Sequence, residues 1–235
     1  MQKIVILGGS NAYWEINELI SDINYVNECF EVIGILEDNQ SLIGKTFNGI
    51  TIDGPLEKAK HYPDDVRFVL AIGSYRTRLL RAQIIERIGL PDDRYETLIH
   101  PTAKVFSTAA VKSGCIIHYG SIVFNHTVIE PFSIISANCV IAVSNLIGRG
   151  ALFGSGILTT TNVKVGSYCF IGSGVKMAES IEVEPGAHIG LGSILYKSVS
   201  AGSFVLGNPP RVLDKSHVSS NVIQQWVELK KEFDK

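Results

Sequence analysis

From Val105 onward a large apolar residue recurs at every sixth position: Val105, Val111, Ile117, Val123, Ile129, Ile135, Ile141, Ile147, Phe153, Thr159, Val165, Ile171, Met177, Val183, Ile189, Leu195 and Ala201. Of these 17 positions only Thr159 is polar. Four residues after each stands a second, mostly small column, with Ala109, Cys115, Ser121, Thr127, Ser133, Cys139, Asn145 and Ala151, and later Cys169, Ala187 and Ser193. A helix repeats at about 3.6 residues and a half-buried strand at 2, so a sustained period of six excludes both. The pattern predicts a solenoid of short strands joined by tight corners, its interior filled by the large column and its bends relieved by the small one. Three hexads to a triangular turn give about five to six coils and a prism roughly 25 to 30 Å tall. No insertion interrupts the repeat, so no long loop leaves the prism. Any site then lies on its faces or between chains.

The first hundred residues follow another pattern. Lys3 to Leu7 is a β-rich run that stops at Gly8-Gly9-Ser10-Asn11, and Ala12 to Ile23 then carries Ile16, Leu19, Ile20 and Ile23 at helical spacing. Further strands are expected at Glu31 to Leu36, around Gly49 to Ile52 and at Arg67 to Ile72, and a second helix at Tyr75 to Ile88. Such alternation predicts a small parallel sheet, Rossmann-like, with ligands at the carboxyl ends of its strands. There Gly8 to Asn11, Glu37-Asp38 and Gly73 to Arg76 converge. His100-Pro101 marks the junction to the prism, and Ser216 caps a closing amphipathic helix with Val222, Trp226, Leu229 and Phe233 on one side. The chain is therefore expected to divide into an α/β domain (1–99), an all-β solenoid (100–213) and a C-terminal α-helix (214–235).

Composition narrows the function. The 235 residues are 46% apolar and 19% charged, enough for a sizeable core. Lys+Arg 21 against Asp+Glu 23 gives a net charge of −2 and no basic excess for a phosphate backbone, so nucleic acid is not an expected partner. No stretch reaches the roughly 18 to 20 apolar residues of a membrane span, and the N-terminus reads as a buried strand rather than a leader. A cytoplasmic location is expected. Cys29, Cys115, Cys139 and Cys169 form no CxxC pair and suggest neither a metal site nor a disulfide framework. Three of them stand in the small column and read as buried small residues.

The segments IVILGGSNA, VIGILEDNQSLIGKTFNGITIDG, FVLAIGSYRTR and IHPTA, the hexads, and the closing GNPPRVL resemble the sugar-nucleotide N-acetyltransferases of the left-handed β-helix superfamily. That family includes the bacillosamine and perosamine N-acetyltransferases and the sialic-acid O-acetyltransferase-like proteins. The resemblance runs from residue 2 to about 213. It implies an α/β N-terminal Rossmann-like domain followed by an all-β left-handed parallel β-helix, a homotrimer, a nucleotide-linked amino sugar on the N-terminal domain, and acetyl-CoA as acyl donor in the groove between prisms, with no metal and no covalent enzyme intermediate. For the sugar nucleotide it points to Gly8, Gly9, Ser10, Asn11, Glu37, Asp38, Gly73, Ser74 and Arg76, since amides at a helix N-terminus suit a diphosphate and Arg suits a phosphate or a base edge. The turn lacks the family's GAGGHG spelling. For coenzyme A it points to Gly154, Ser155, Gly172, Ser173 and Gly190, and to Arg211 for the 3′-phosphate. Each glycine is equally what a tight corner needs.

The family's general base is a His in a D-H-D-like segment. Ungapped matching through the hexads puts that position at Val143, between Ala142 and Ser144, and a second family histidine at Leu152. Neither can take a proton. Asn125-His126-Thr127 looks like the same segment displaced one coil, which makes His126 the expected base, with Asn125 beside it and Glu130 as an orienting carboxylate; His118 is a further candidate. The expected reaction is acyl transfer from coenzyme A to a nucleotide-linked amino sugar. A catalytically silent sugar-nucleotide-binding trimer and a sugar O-acetyltransferase stay open beside it.

Overall fold

The computed structural model describes residues 1–9, 11–73 and 78–213. The expected C-terminal helix at 214–235, and Ser10, Ser74 and Arg76, lie outside the described residues.

Strands β1 (Gln2–Leu7), β2 (Phe30–Leu36) and β5 (Arg67–Leu70) form a parallel sheet of order β2-β1-β5. Helix α1 (Asn11–Val26) follows β1, the hairpin β3 (Thr46–Phe47) and β4 (Ile50–Thr51) follows β2, and α2 (Arg78–Ile88) follows β5. Successive strand side chains point to opposite faces. Ile4 and Ile6 accordingly pack with Ile16, Leu19 and Ile20 of α1, while Val5 and Leu7 pack with Ile84, Ile85 and Ile88 of α2. The sheet is thus covered on both sides, but it has three strands where a doubly wound dinucleotide fold has six. The Rossmann-like expectation reduces to this small parallel sheet. Its carboxyl ends are level, Leu7 pairing with both Leu36 and Leu70.

The rest of the chain is a left-handed parallel β-helix of about six turns. It has three faces. The first runs from Leu98–Ile99 through Ile116–Ile117, Ile134–Ile135, Leu152–Phe153, Phe170–Ile171 and His188–Ile189 to Phe204–Leu206, with Arg211–Val212 added antiparallel. The second runs from Lys104–Val105 to Ile194–Leu195, and the third from Ala110–Val111 to Glu182–Val183. Partners stand 18 residues apart, as in Ile117 with Ile135 and Val123 with Ile141, so one coil is three hexads. The large column and the apolar members of the small column converge on one continuous core. Cys115, Cys139 and Cys169 are buried in the small column, their thiols donating to the carbonyls of Glu130, Gly154 and Glu184, each at 3.1 Å. Burial pushes the Cys115 thiol up to about 11, which suits an inert structural residue.

Two features depart from the periodic expectation. The last coil is short: Val199 pairs with Val183 and Val205 with Ile189, so Val199 and Val205 fill the interior and Ala201 is exposed. The hexad register therefore ends at Leu195. There is also a third column. Between Gly114 and Gly192, one residue at each corner has φ between +54° and +73°, and His126, Phe132, Asn138, Ser144, Asn162, Tyr168 and Ser180 are among its occupants.

The N-terminal domain sits on the first face. Leu98, Ile116 and Ile134 project outward into the α1 core, and Phe132, on the edge between the third and first faces, joins the α2 core against Tyr95. A Cβ on Gly114, one coil below, would lie 2.8 Å from the Phe132 ring, so glycine there makes room for it. Arg149 clasps Asp92 with two hydrogen bonds of 2.6 and 2.9 Å and lies 4.5 Å over the Phe132 ring. Fully buried Arg81 donates to the Phe132 carbonyl, and desolvation pushes its guanidinium down to about 10.

Candidate functional site

The level carboxyl ends of β1 and β5 bring Gly8, Gly9 and Gly73 together. Gly8 has φ +113°, and a Cβ there would lie 3.0 Å from the Ala71 carbonyl oxygen, so only glycine lets the two chain segments approach. Gly9 N–H donates to Glu37 Oε2 at 2.7 Å and Asn39 N–H to Oε1 at 3.0 Å. The Glu37 carboxylate thus braces the turn. Asp38 points elsewhere, accepting from Leu56 N–H at 3.0 Å and pairing with Arg87. The hydrogen bond to Asp38 is the main reason the Arg87 guanidinium is held above its ordinary range. Gly73 faces the prism, where a Cβ would lie 2.7 Å from Ile134 Cδ1.

Between this turn and the first face lies a cleft of about 70 Å³, lined among others by Glu15, Gly73, Ile134, Ser136 and His118. His118 is 6% exposed, with Nε2 3.6 Å from Glu15 Oε1. Burial pushes its imidazole below the ordinary range, the Glu15 carboxylate opposes that, and His100 reinforces it. His100, one coil lower, is tied down by Thr102 at 2.9 Å and Asp22 at 3.1 Å.

His118, Ser136, Gly154, Gly172 and Gly190 follow one another at 18-residue steps along the edge between the first and second faces. The residues expected to hold coenzyme A therefore form one ladder, with exposed Ser155 and Ser173 beside it and exposed Arg211 on the last strand of the first face. A Cβ on Gly154 would lie 2.6 Å from Ser173 N, and one on Gly172 2.5 Å from Leu191 N. Close coil stacking alone demands glycine at both.

His126 stands on the edge between the second and third faces, opposite the first face. It is exposed, has φ +60° and hydrogen-bonds Thr108 Oγ1 through its own N–H at 3.2 Å. Asn125 lies in the same corner column as Val143, one coil below, its carbonyl accepting from Ser144 N–H at 3.0 Å. Glu130 is not beside His126. It begins the next corner, across the strand Val128–Ile129, roughly 13 Å of extended chain away. The contacts of Arg81, Arg149 and Glu15 carry no sequence signal, because each partner is distant in the chain.

Among the described residues no group of three or more His, Cys, Asp or Glu could hold a metal ion, and no helix is long and apolar enough to cross a membrane.

No family model and no curated protein sequence matches the chain. Solved structures do. The acetyltransferase domain of PglB from Neisseria gonorrhoeae, determined with acetyl coenzyme A, superposes with a TM-score of 0.77 at 21% identity, over 90% of this chain and 99% of that one. PerB from Caulobacter crescentus, determined with CoA and GDP-perosamine, gives 0.74 at 18% identity over 90% and 97%. WeeI from Acinetobacter baumannii gives 0.74 at 21% identity over 91% and 100%. The likeness is one of fold, a left-handed β-solenoid, and it spans the small parallel domain as well as the prism.

Proposed function

We propose that the protein transfers an acyl group, acetyl in the first instance, from its coenzyme A thioester to the amino group of a nucleotide-linked sugar. One juxtaposition carries the reading: the carboxyl ends of the small parallel sheet open onto the prism edge that bears the Gly154, Gly172 and Gly190 ladder. Ligands of open α/β sheets bind at such strand ends. A sugar nucleotide held there would present its amine to a thioester lying along the ladder. PglB determined with acetyl coenzyme A, and PerB with CoA and GDP-perosamine, support both ligand classes.

In this reading residues 1–99 are the Rossmann-like nucleotide-sugar unit, with Gly8, Gly9, Ser10, Asn11, Glu37, Asp38, Gly73, Ser74 and Arg76 at its ligand end. Residues 100–213 are the acyl-transfer unit, and Arg211 meets the 3′-phosphate. The protein works as a cytoplasmic homotrimer. His126, with Asn125, lies across the prism from its own chain's Gly8–Gly9 turn, so it meets a sugar nucleotide only when that ligand is held by a neighbouring copy.

Valine at position 143 and leucine at 152 favour a second reading, a silent sugar-nucleotide-binding trimer. An O-acetyltransferase is less favoured, because a hydroxyl needs a working base more than a neutral amine does. The test supplies purified protein with acetyl-CoA and UDP-, GDP- and dTDP-linked 4-amino sugars and follows free thiol, with thermal shifts for each ligand alone. Thiol release with an amino sugar supports the transferase. Stabilisation by a sugar nucleotide, with neither acetyl-CoA binding nor thiol release, replaces it by the silent trimer.

A further inference from the structure

We propose that His118, paired with Glu15, is the residue that takes the proton from the attacking amine, in the cleft between the Gly73 turn and the prism. This assignment rests on the transferase reading above. Three observations lead to it.

First, the imidazole is buried but not tied down. Its side chain is 8% exposed, and among the described residues no hydrogen bond reaches either ring nitrogen, while the contact to Glu15 is long at 3.6 Å. His100, on the same edge one coil below, differs in kind: both of its ring nitrogens are engaged, by Thr102 and Asp22. A buried polar group is ordinarily satisfied, so one left open toward a cleft marks a place for a ligand atom.

Second, the cleft has the right neighbours. Glu15 belongs to the first turns of α1, Ala71 and Gly73 follow β5, and Ile134 and Ser136 belong to the coil above His118. A sugar extending from a nucleotide at the Gly8–Gly9 turn enters along this line. Third, His118 lies on the ladder edge, two coils below Gly154, so a thioester descending that edge arrives above the imidazole. His126 shares none of these surroundings within its own chain.

The step balances with the two substrates alone. The amine nitrogen forms a bond to the thioester carbonyl carbon, the carbon–sulfur bond breaks, and its electron pair leaves on sulfur. The proton lost from nitrogen passes to His118 Nε2 and then to the thiolate, giving the amide and free coenzyme A. Among the described residues, the charged and titratable groups facing His118 are Glu15 from α1 and His100 from the coil below. Glu15 favours the imidazolium and so stabilises the proton once it is taken.

The test measures thiol release by wild-type protein, His118→Gln and Glu15→Gln, using acetyl-CoA and the UDP-, GDP- and dTDP-linked 4-amino sugars. A proton acceptor typically contributes about 10² to 10⁴ in rate. His118→Gln is expected to lower kcat by about 100-fold or more with KM for acetyl-CoA unchanged. Glu15 is exposed, so Glu15→Gln folds whether or not His118→Gln does. It is expected to move the acidic limb of the pH–rate profile to lower pH, which a packing role would not do. Wild-type turnover with His118→Gln within about threefold of it overturns the assignment and leaves the transferase standing, as does an unmoved acidic limb in Glu15→Gln. No thiol release by the wild type with any of these sugars overturns the transferase, and the catalytic assignment with it.

Discussion

Replacing Thr159 by valine is expected to destabilise the prism by about 1 to 2 kcal/mol, although the substitution perfects the apolar interior column. Thr159 is 1% exposed. In the coils around it the residue after each second-face strand donates its N–H to the main-chain carbonyl 17 positions on, as Phe124 does to Ile141. Ala142 instead donates to Thr159 Oγ1 at 3.0 Å, and only Val140 with Leu158 pairs between these two strands. The hydroxyl replaces a missing ladder bond. Valine keeps the shape and removes the acceptor. Leaving the Ala142 N–H without a partner costs about 1 to 3 kcal/mol, and the methyl that replaces the hydroxyl returns at most about 0.8 kcal/mol.

Serine keeps the acceptor and loses one methyl, a cost of about 1 kcal/mol. Alanine loses both and should be worst. Urea unfolding followed by circular dichroism measures the series. With an m-value of about 3 kcal/mol/M, the valine variant's midpoint falls by about 0.3 to 0.7 M. A valine variant as stable as the wild type, with an unchanged m-value, would refute the claim that this hydroxyl carries a ladder bond.

The other expectations separate roles that share a residue type. Gly172→Ala puts a Cβ 2.5 Å from Leu191 N, which cannot yield without parting two coils, and should cost about 3 kcal/mol in a ligand-free melt. Gly156→Ala meets nothing within 4 Å and should cost only the left-handed φ of +70°, about 1 kcal/mol. Arg149→Lys keeps the charge but loses the fork on Asp92 and the stacking on Phe132. The pair is partly exposed, so chemical denaturation should find a loss of only about 1 kcal/mol. His118 has its pKa depressed in the fold, so the unfolded chain binds more protons and stability falls as pH drops below the unfolded value near 6.5. Urea midpoints at pH 7.5 and 5.5 should show that loss in the wild type and a smaller one in His118→Gln. Arg211→Ala should weaken acetyl-CoA binding about tenfold in calorimetry while leaving 3′-dephospho-acetyl-CoA unaffected.

The prism is legible in the sequence because its core is periodic. Every inward residue from Val105 to Leu195 obeys one spacing, and any chain that keeps the spacing has one way to bury it. The same forward count misplaces Ala201, since a coil two residues short leaves Val199 and Val205 apolar but out of register. The left-handed corner column is illegible for the opposite reason. Backbone geometry repeats there while chemistry does not, and glycine, asparagine, serine, histidine, phenylalanine and tyrosine all occupy it. His126 is one of its members, so its likeness to a displaced motif coincides with a position that the corner itself fills with varied residues.

A residue's number, counted in steps of 18, decides which edge of the triangle it occupies. By that count His118 shares an edge with Gly154, Gly172 and Gly190, and His126 shares one with Ser144 and Asn162. Residue spacing alone therefore sorts the two histidines onto different edges. Spacing does not say which edge the small parallel domain covers, because that depends on Ile116, Ile134 and Phe132 meeting residues distant in the chain. Once the domain is seated on the first face, the edge carrying the glycine ladder is also the edge facing Gly73 and Glu15. Proton transfer needs its acceptor within hydrogen-bond reach of the nucleophile, and among the described residues of one chain only the His118 edge brings an imidazole, a carboxylate and the strand ends into one cleft.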